Sequence, residues 1–156
     1  MKYIKGDLVR DNHQFDVIGH GCNCFLNMGA GIAKTIKHTF KAAYLADLNT
    51  KYGDKSKLGT YTHAVVGELT IVNLYTQYKY SRSQVEADYN AIRKCMRALK
   101  KDFSGKVIGL PLIGAGLAGG DWNTIENIIK EELVDEDVVI VIWEGDKRLL
   151  QKFGLQ

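Results

Sequence analysis

The sequence predicts a single-domain α/β protein, a three-layer α/β/α sandwich around a central mixed, largely parallel sheet spanning residues 1–156. Three observations lead there. Short β-branched runs alternate with longer stretches of helical spacing, the pattern of a parallel sheet covered by helices. Residues 106–112 and 137–143 are nearly continuous apolar runs, as strands buried on both faces are. Two glycine-rich segments, residues 27–33 and 113–120, sit where a strand passes into a helix.

The elements follow in order. Residues 15–20 read as a strand running into the first glycine segment. In 31–40, Ile32, Ala33, Ile36 and Phe40 recur at helical spacing. Residues 42–52 form a second helix, closed by Gly53 in the position glycine favours after a helix. Residues 60–66 and 68–75 are adjacent strands turning at Gly67, and a long helix spans 83–101. The strand at 106–112 carries the chain's one proline, Pro111, at its end, where a missing donor costs little. Residues 121–133 are helical with Asp121 as N-cap, its negative charge suited to the helix's positive end. The strand 137–143 and a short helix at 145–153 complete the chain. No repeat, linker or low-complexity segment interrupts it.

Composition narrows the class. The chain has 156 residues, 46% hydrophobic and 25% charged, close to an ordinary globular protein. No apolar run is long enough to span a bilayer, and no signal-peptide core follows Lys2, so the chain reads as cytoplasmic. Net charge is +3, too modest to imply nucleic-acid binding unless the cations gather on one face. The basic stretch 93–101 interleaves its cations with apolar residues at helical spacing, as a solvated helix face does. Three cysteines, Cys22, Cys24 and Cys95, make an odd count without zinc-ligand spacing, so neither a disulfide framework nor a metal site is expected.

The glycine segments carry the chemistry. Gly29-Ala30-Gly31 lets successive backbone N–H groups turn toward one concavity, and the helix behind it adds unpaired amides and a positive dipole end. Gly114-Ala115-Gly116 repeats the device at another strand end. Ligands of open α/β sheets bind outside the carboxyl ends of strands, so both segments open on the same side and form a cradle for an anion. Neither ends in Gly-Lys-Ser/Thr, which leaves Mg²⁺-dependent triphosphate hydrolysis unsupported. Gly114, Gly116 and Gly119 match a dinucleotide fingerprint, a weak signal this far from the N-terminus.

Beyond these residues the chain resembles a macrodomain, the ADP-ribose-binding family, over nearly its whole length. Tyr3-Ile4-Lys5-Gly6-Asp7-Leu8 resembles the family's opening strand. His20-Gly21-Cys22-Asn23-Cys24 followed by Met28-Gly29-Ala30-Gly31-Ile32-Ala33 resembles its first loop. Leu110-Pro111-Leu112-Ile113-Gly114-Ala115-Gly116-Leu117 resembles its second. The chain looks most similar to the small stand-alone branch containing ADP-ribose 1″-phosphate phosphatases and terminal ADP-ribose glycohydrolases.

The resemblance implies a ligand site. Asp7 would accept from the adenine amino group, with the Leu8 amide nearby, and Asn23 would contact the distal ribose. Met28, Gly29, Ala30, Gly31 and Ile32, with Ile113, Gly114, Ala115, Gly116, Leu117 and Ala118, would surround the diphosphate. Trp143 would flank the adenine. Each residue also has a plainer reading: Asp7 closing a turn, Asn23 capping a loop, Trp143 in the core. Asn23 and His20 are the catalytic candidates, although a histidine ending a buried strand also reads as structural. Asp121 reads as a cap before it reads as a base.

The glycohydrolase branch uses a lysine nucleophile and a second-loop aspartate. Gln77 and Ala118 stand at those positions, and neither can do that chemistry. Lys79 lies two residues on, roughly 7 Å along a strand. The expectation is therefore hydrolysis of ADP-ribose 1″-phosphate to ADP-ribose and phosphate by positioning, without a cofactor. A de-ADP-ribosylating hydrolase acting on modified protein or nucleic acid, and a non-catalytic ADP-ribose reader, are the alternatives. RNA binding through the basic helix is a more remote one.

Overall fold

The strand at Asp137–Trp143 organises the sheet because its side chains are buried on both faces. Val138, Ile140 and Ile142 point to one hydrophobic core, Val139 and Val141 to another. The computed structural model describes residues 1–81 and 84–156. Six strands run through it: β1 Lys2–Gly6, β2 Val17–Cys22, β3 Tyr61–Val66, β4 Leu69–Tyr75, β5 Val107–Leu110 and β6 Asp137–Trp143. Five helices accompany them: α1 Gly31–Thr39, α2 Lys41–Leu48, α3 Tyr89–Phe103, α4 Trp122–Glu132 and α5 Lys147–Lys152.

The sheet order is β1-β6-β5-β2-β4-β3, parallel throughout except for the edge pair β3–β4. That pair is a hairpin turning at Gly67, whose φ of 61° suits a tight hairpin turn. One core joins the sheet to Ile36 of α1, Ala43 of α2 and Phe40 between them. The other joins it to α3, α4 and α5, with Ile92, Met96, Leu99, Ile125, Ile129 and Leu150 fully or nearly buried. The sandwich is therefore three-layered, as the alternation of strands and helices predicts. Among the described residues no helix is long and apolar enough to cross a membrane.

Several boundaries differ from the sequence reading, each for a local reason. β2 begins at Val17 and runs on to Cys22, because Gly21 and Cys22 pair with Leu74 and Tyr75 of β4. β1 stops at Gly6, where Asp7 turns the chain. β5 ends at Leu110, so Pro111 lies just beyond the strand. The helix expected over 42–52 ends at Leu48, and the Asp47 carbonyl accepts from the Thr50 amide and hydroxyl instead of continuing it. Gly53 is thus no helix cap: at φ 70° it donates its N–H to the Cys24 carbonyl, 2.7 Å away. The expected helix start at Ser83 lies outside the described residues. From 84 to 88 the chain is not helical, and α3 starts after the Asp88 cap. Two 3₁₀ turns, Asn12–Gln14 and Lys55–Lys57, were not anticipated.

Candidate functional site

The parallel strands deliver the predicted residues to one edge. In spatial order, β1 leads into Asp7, β6 ends at Trp143, β5 leads into the second glycine loop, β2 into the first, and β4 into Thr76 and Gln77.

At the β1 end, Asp7 closes a turn. Its Oδ1 accepts from the Val9 and Arg10 amides at 3.1 and 3.0 Å, while its own N–H donates to Asp11 Oδ2. Oδ2 of Asp7 has no partner among the described residues, and neither has the Leu8 amide. A cavity of about 330 Å³ opens here, lined by Asp7, Val9, Arg10, Asn12 and, from α1, Thr35 and Thr39. Alternation along β6 places Trp143 on the same α1–α2 face as Val139 and Val141. Trp143 pairs in register with Gly6 and is 60% exposed, with its ring lying across Gly145, so it is not a core residue.

The first loop follows β2. Asn23 stitches it: Oδ1 accepts from the Phe25 amide and Nδ2 donates to the Asn27 carbonyl, both at 2.9 Å. Asn27 Oδ1 accepts in turn from the Gly29 amide. Met28 is buried in the α1–α2 core and Ile32 packs against it, so both side chains point away from solvent into the sandwich. Helices α3, α4 and α5 each carry an aspartate cap, at Asp88, Asp121 and Asp146. Ala30 gives α1 none, and the amides of Gly31, Ile32 and Ala33 have no acceptor among the described residues.

The second loop follows β5 and folds on itself. Gly114, at φ 73°, lies where a β-carbon would come within 3.1 Å of Ile92 and Ile125, and its carbonyl accepts from Gly120 N–H at 2.8 Å. Residues 84–88 strap this loop to the sheet. Glu86 and Ala87 donate their amides to the Ala118 carbonyl, and Asp88 donates to that of Thr76. Ile113 and Ala118 are buried, whereas Gly116 and Leu117 are exposed. The amides of Gly116, Leu117 and Ala118 have no acceptor among the described residues, and such a run of N–H groups suits an anion. The two loops meet: a β-carbon on Gly31 would lie 3.4 Å from Leu117 Cδ1.

His20 is fully buried, with Nε2 donating to Asn73 Oδ1 at 2.7 Å and Cys22 Sγ 3.5 Å from the same nitrogen. Burial pushes its pKa down to about 4, the Asn73 bond opposing the fall. Asn73 also donates to the Ala43 carbonyl and to Thr62 Oγ1, next to the Tyr75 hydroxyl, which donates to Asp47. Burial raises the Asp47 carboxyl. This network ties β2, β4, β3 and α2 together and holds His20 out of contact with solvent. The cysteines are free and buried, and burial raises their thiols above the usual range, which makes them unreactive. Asp121 Oδ2 accepts from both the amide and the hydroxyl of Thr124, as a cap does.

On α3, Arg93 pairs with Glu131 and Glu132, Arg97 with Glu132, and Lys100 with Glu136, so much of the basic stretch is neutralised locally. Gln77 donates to the Lys79 carbonyl. One residue the sequence reading passed over is Thr76, whose fully buried Oγ1 has no partner among the described residues and sits where a Gly21 side chain would go, 2.7 Å from a β-carbon there. Its only sequence signal is its place at the end of an apolar strand.

Fold and edge define a class: a small α/β/α sandwich presenting two backbone loops at the carboxyl edge of its sheet. Residues 20–129 match the Macro domain family, and the chain belongs to it. An uncharacterized 17.5 kDa protein from the tk-vs intergenic region of Enterobacteria phage T4 is 37% identical over 153 residues, covering 92% of this chain and 97% of that protein. An ADP-ribose 1″-phosphate phosphatase of Scheffersomyces stipitis is 24% identical over 176 residues, covering 90% of this chain and 99% of that protein. The structure of Thermosipho africanus DarTG in complex with ADP-ribose has the same fold, with a TM-score of 0.74 at 15% identity over 94% of this chain and 43% of that one.

Proposed function

We propose that the protein binds ADP-ribose along the carboxyl edge and hydrolyses ADP-ribose 1″-phosphate to ADP-ribose and phosphate. The observation that carries this reading is the meeting of Gly31 and Leu117, which brings unpaired amides from both loops to one place. A diphosphate supplies the acceptors those amides lack, and the α1 dipole favours its charge. The adenine end falls to Asp7 Oδ2, the Leu8 amide and the open face of Trp143. These lie on the side of the sheet where the cavity beside α1 opens. The names of two similar proteins, an ADP-ribose 1″-phosphate phosphatase and a structure holding ADP-ribose, support the same ligand.

The chemistry asked of the chain is modest. Water attacks phosphorus, the bond from phosphorus to the sugar oxygen breaks, a proton of the water ends on that sugar oxygen, and the charge spread over the phosphate oxygens is held by backbone amides. Asn23 keeps the first loop in shape and uses its remaining N–H and lone pair to orient ribose and water. His20 acts through β2 as a positioning residue. Gln77 and Ala118 argue against a lysine–aspartate route. Phosphate release from ADP-ribose 1″-phosphate tests this directly, with wild type compared to Asn23→Ala. Turnover by wild type and its loss in the variant are expected. If wild type binds ADP-ribose yet releases no phosphate, the phosphatase reading fails, and release of ADP-ribose from modified protein or nucleic acid then separates a de-ADP-ribosylating hydrolase from a reader.

A further inference from the structure

Beside the first loop lies a ring cluster that neither the fold nor the loops explain. Phe25 follows Asn23 by two residues and meets Tyr52 edge to face at 5.1 Å and Tyr78 at 4.9 Å. Three segments are tied together there. Cys24 N–H donates to the Tyr78 carbonyl at 2.9 Å, Gly53 N–H to the Cys24 carbonyl, and the Tyr78 hydroxyl to the Gly53 carbonyl. Leu26, at φ 55°, holds a conformation uncommon for its type, at the turn that fixes Phe25.

Packing accounts for Phe25 and Tyr78, which border the small core of Cys22, Cys24 and Tyr75. It does not account for Tyr52, which rests on Phe25 with 67% of its surface open. Nor does it account for the cations around it. Lys55 Nζ sits 4.9 Å from the centre of the Tyr78 ring, and Lys51 and Lys79 are exposed on the segments that carry Tyr52 and Tyr78. The carboxylate of these segments, Asp54, caps the turn at Ser56. Lys57 is turned inward, donating to Thr50 and lying over Tyr75. Tyr80, also exposed, follows Lys79 directly.

We propose that this surface, built from Tyr52, Phe25, Tyr78, Lys51, Lys55 and Lys79, docks single-stranded nucleic acid. The open Tyr52 ring, backed by Phe25 and Tyr78, offers a face on which an unpaired base stacks, and the lysines meet the phosphates beside it. A duplex, with its bases stacked on each other, cannot use that ring. The surface adjoins Asn23, at the end of the site assigned above to the distal ribose. A strand lying there would present an ADP-ribose group attached to it to the two loops. That last step rests on the ADP-ribose reading; the docking itself does not.

Fluorescence anisotropy with a labelled oligothymidine of about 15 nucleotides, and with an oligouridine of equal length, tests the surface. Wild type should bind one or both, more tightly than a duplex of the same length, with a log–log salt slope of about −2 for three lysines. Tyr52→Ala should weaken binding roughly tenfold, the loss of one stacked base. Lys55→Gln should make the slope shallower, and ADP-ribose affinity by calorimetry should stay unchanged in both variants. Absence of oligonucleotide binding, equal binding by Tyr52→Ala, or equally strong capture of a polyglutamate peptide would overturn the proposal. Oligonucleotide binding without any ADP-ribose binding would leave the surface standing and overturn the reading of the loops.

Discussion

Gly31 and Leu117 face each other across the carboxyl edge, so closely that a single methyl group on the glycine would touch the leucine at 3.4 Å. The glycine opens α1 at φ 58°, and the leucine projects from the loop after β5. The two glycine loops therefore approach each other closely at this edge.

Gly31→Ala tests that contact. A left-handed conformation costs an alanine about 1 kcal/mol, while the added methyl meets Leu117 only at ordinary contact distance. Urea denaturation should show that loss of stability. Calorimetry should show a fall in ADP-ribose affinity larger than stability alone explains, because the α1 amides shift.

His20 makes stability depend on pH. Its ordinary pKa of 6.5 falls to about 4 in the folded protein, chiefly through burial. Between those values the unfolded chain binds a proton that the folded protein does not. The contribution is thus complete above pH 6.5 and is lost as pH falls toward 4, by up to about 3 kcal/mol. His20→Gln keeps an N–H for Asn73 but cannot titrate. Denaturation across that window should be flatter for the variant than for wild type, and parallel curves would refute the assignment.

Asp121→Ala should destabilise α4 by about 1 kcal/mol through loss of the Thr124 bonds. Asp121→Asn, which still caps, should restore most of it. Phosphate release should be the same for both variants at a temperature where both are folded. A large loss of rate in Asp121→Asn would restore the carboxylate as a base.

Trp143→Ala should leave stability within about 0.5 kcal/mol, since the ring is mostly exposed. Affinity for ADP-ribose should drop roughly tenfold, the scale of one ring stacked on one base. An unchanged affinity would remove Trp143 from the site.

Much of this architecture is legible in the residues, and the exceptions have physical causes. β6 is read to its ends because its β-branched run is uninterrupted. β2 is placed two residues early at its start and stopped two short, because Gly21 and Cys22 carry no strand preference and are recruited by pairing with Leu74 and Tyr75. The glycine loops announce themselves because backbone cradles need glycine. The setting of His20 does not, since its partner Asn73 comes from another strand and nothing local marks the pair. Tyr52 is equally silent, as a tyrosine in a loop says nothing until Phe25 is seen beneath it.

The most direct test of the central claim is calorimetric titration of the wild-type protein with ADP-ribose. A saturable one-to-one isotherm with micromolar affinity, weakened in Gly31→Ala and Trp143→Ala, is the predicted result. No heat of binding at millimolar ligand, from protein shown to be folded, would contradict it.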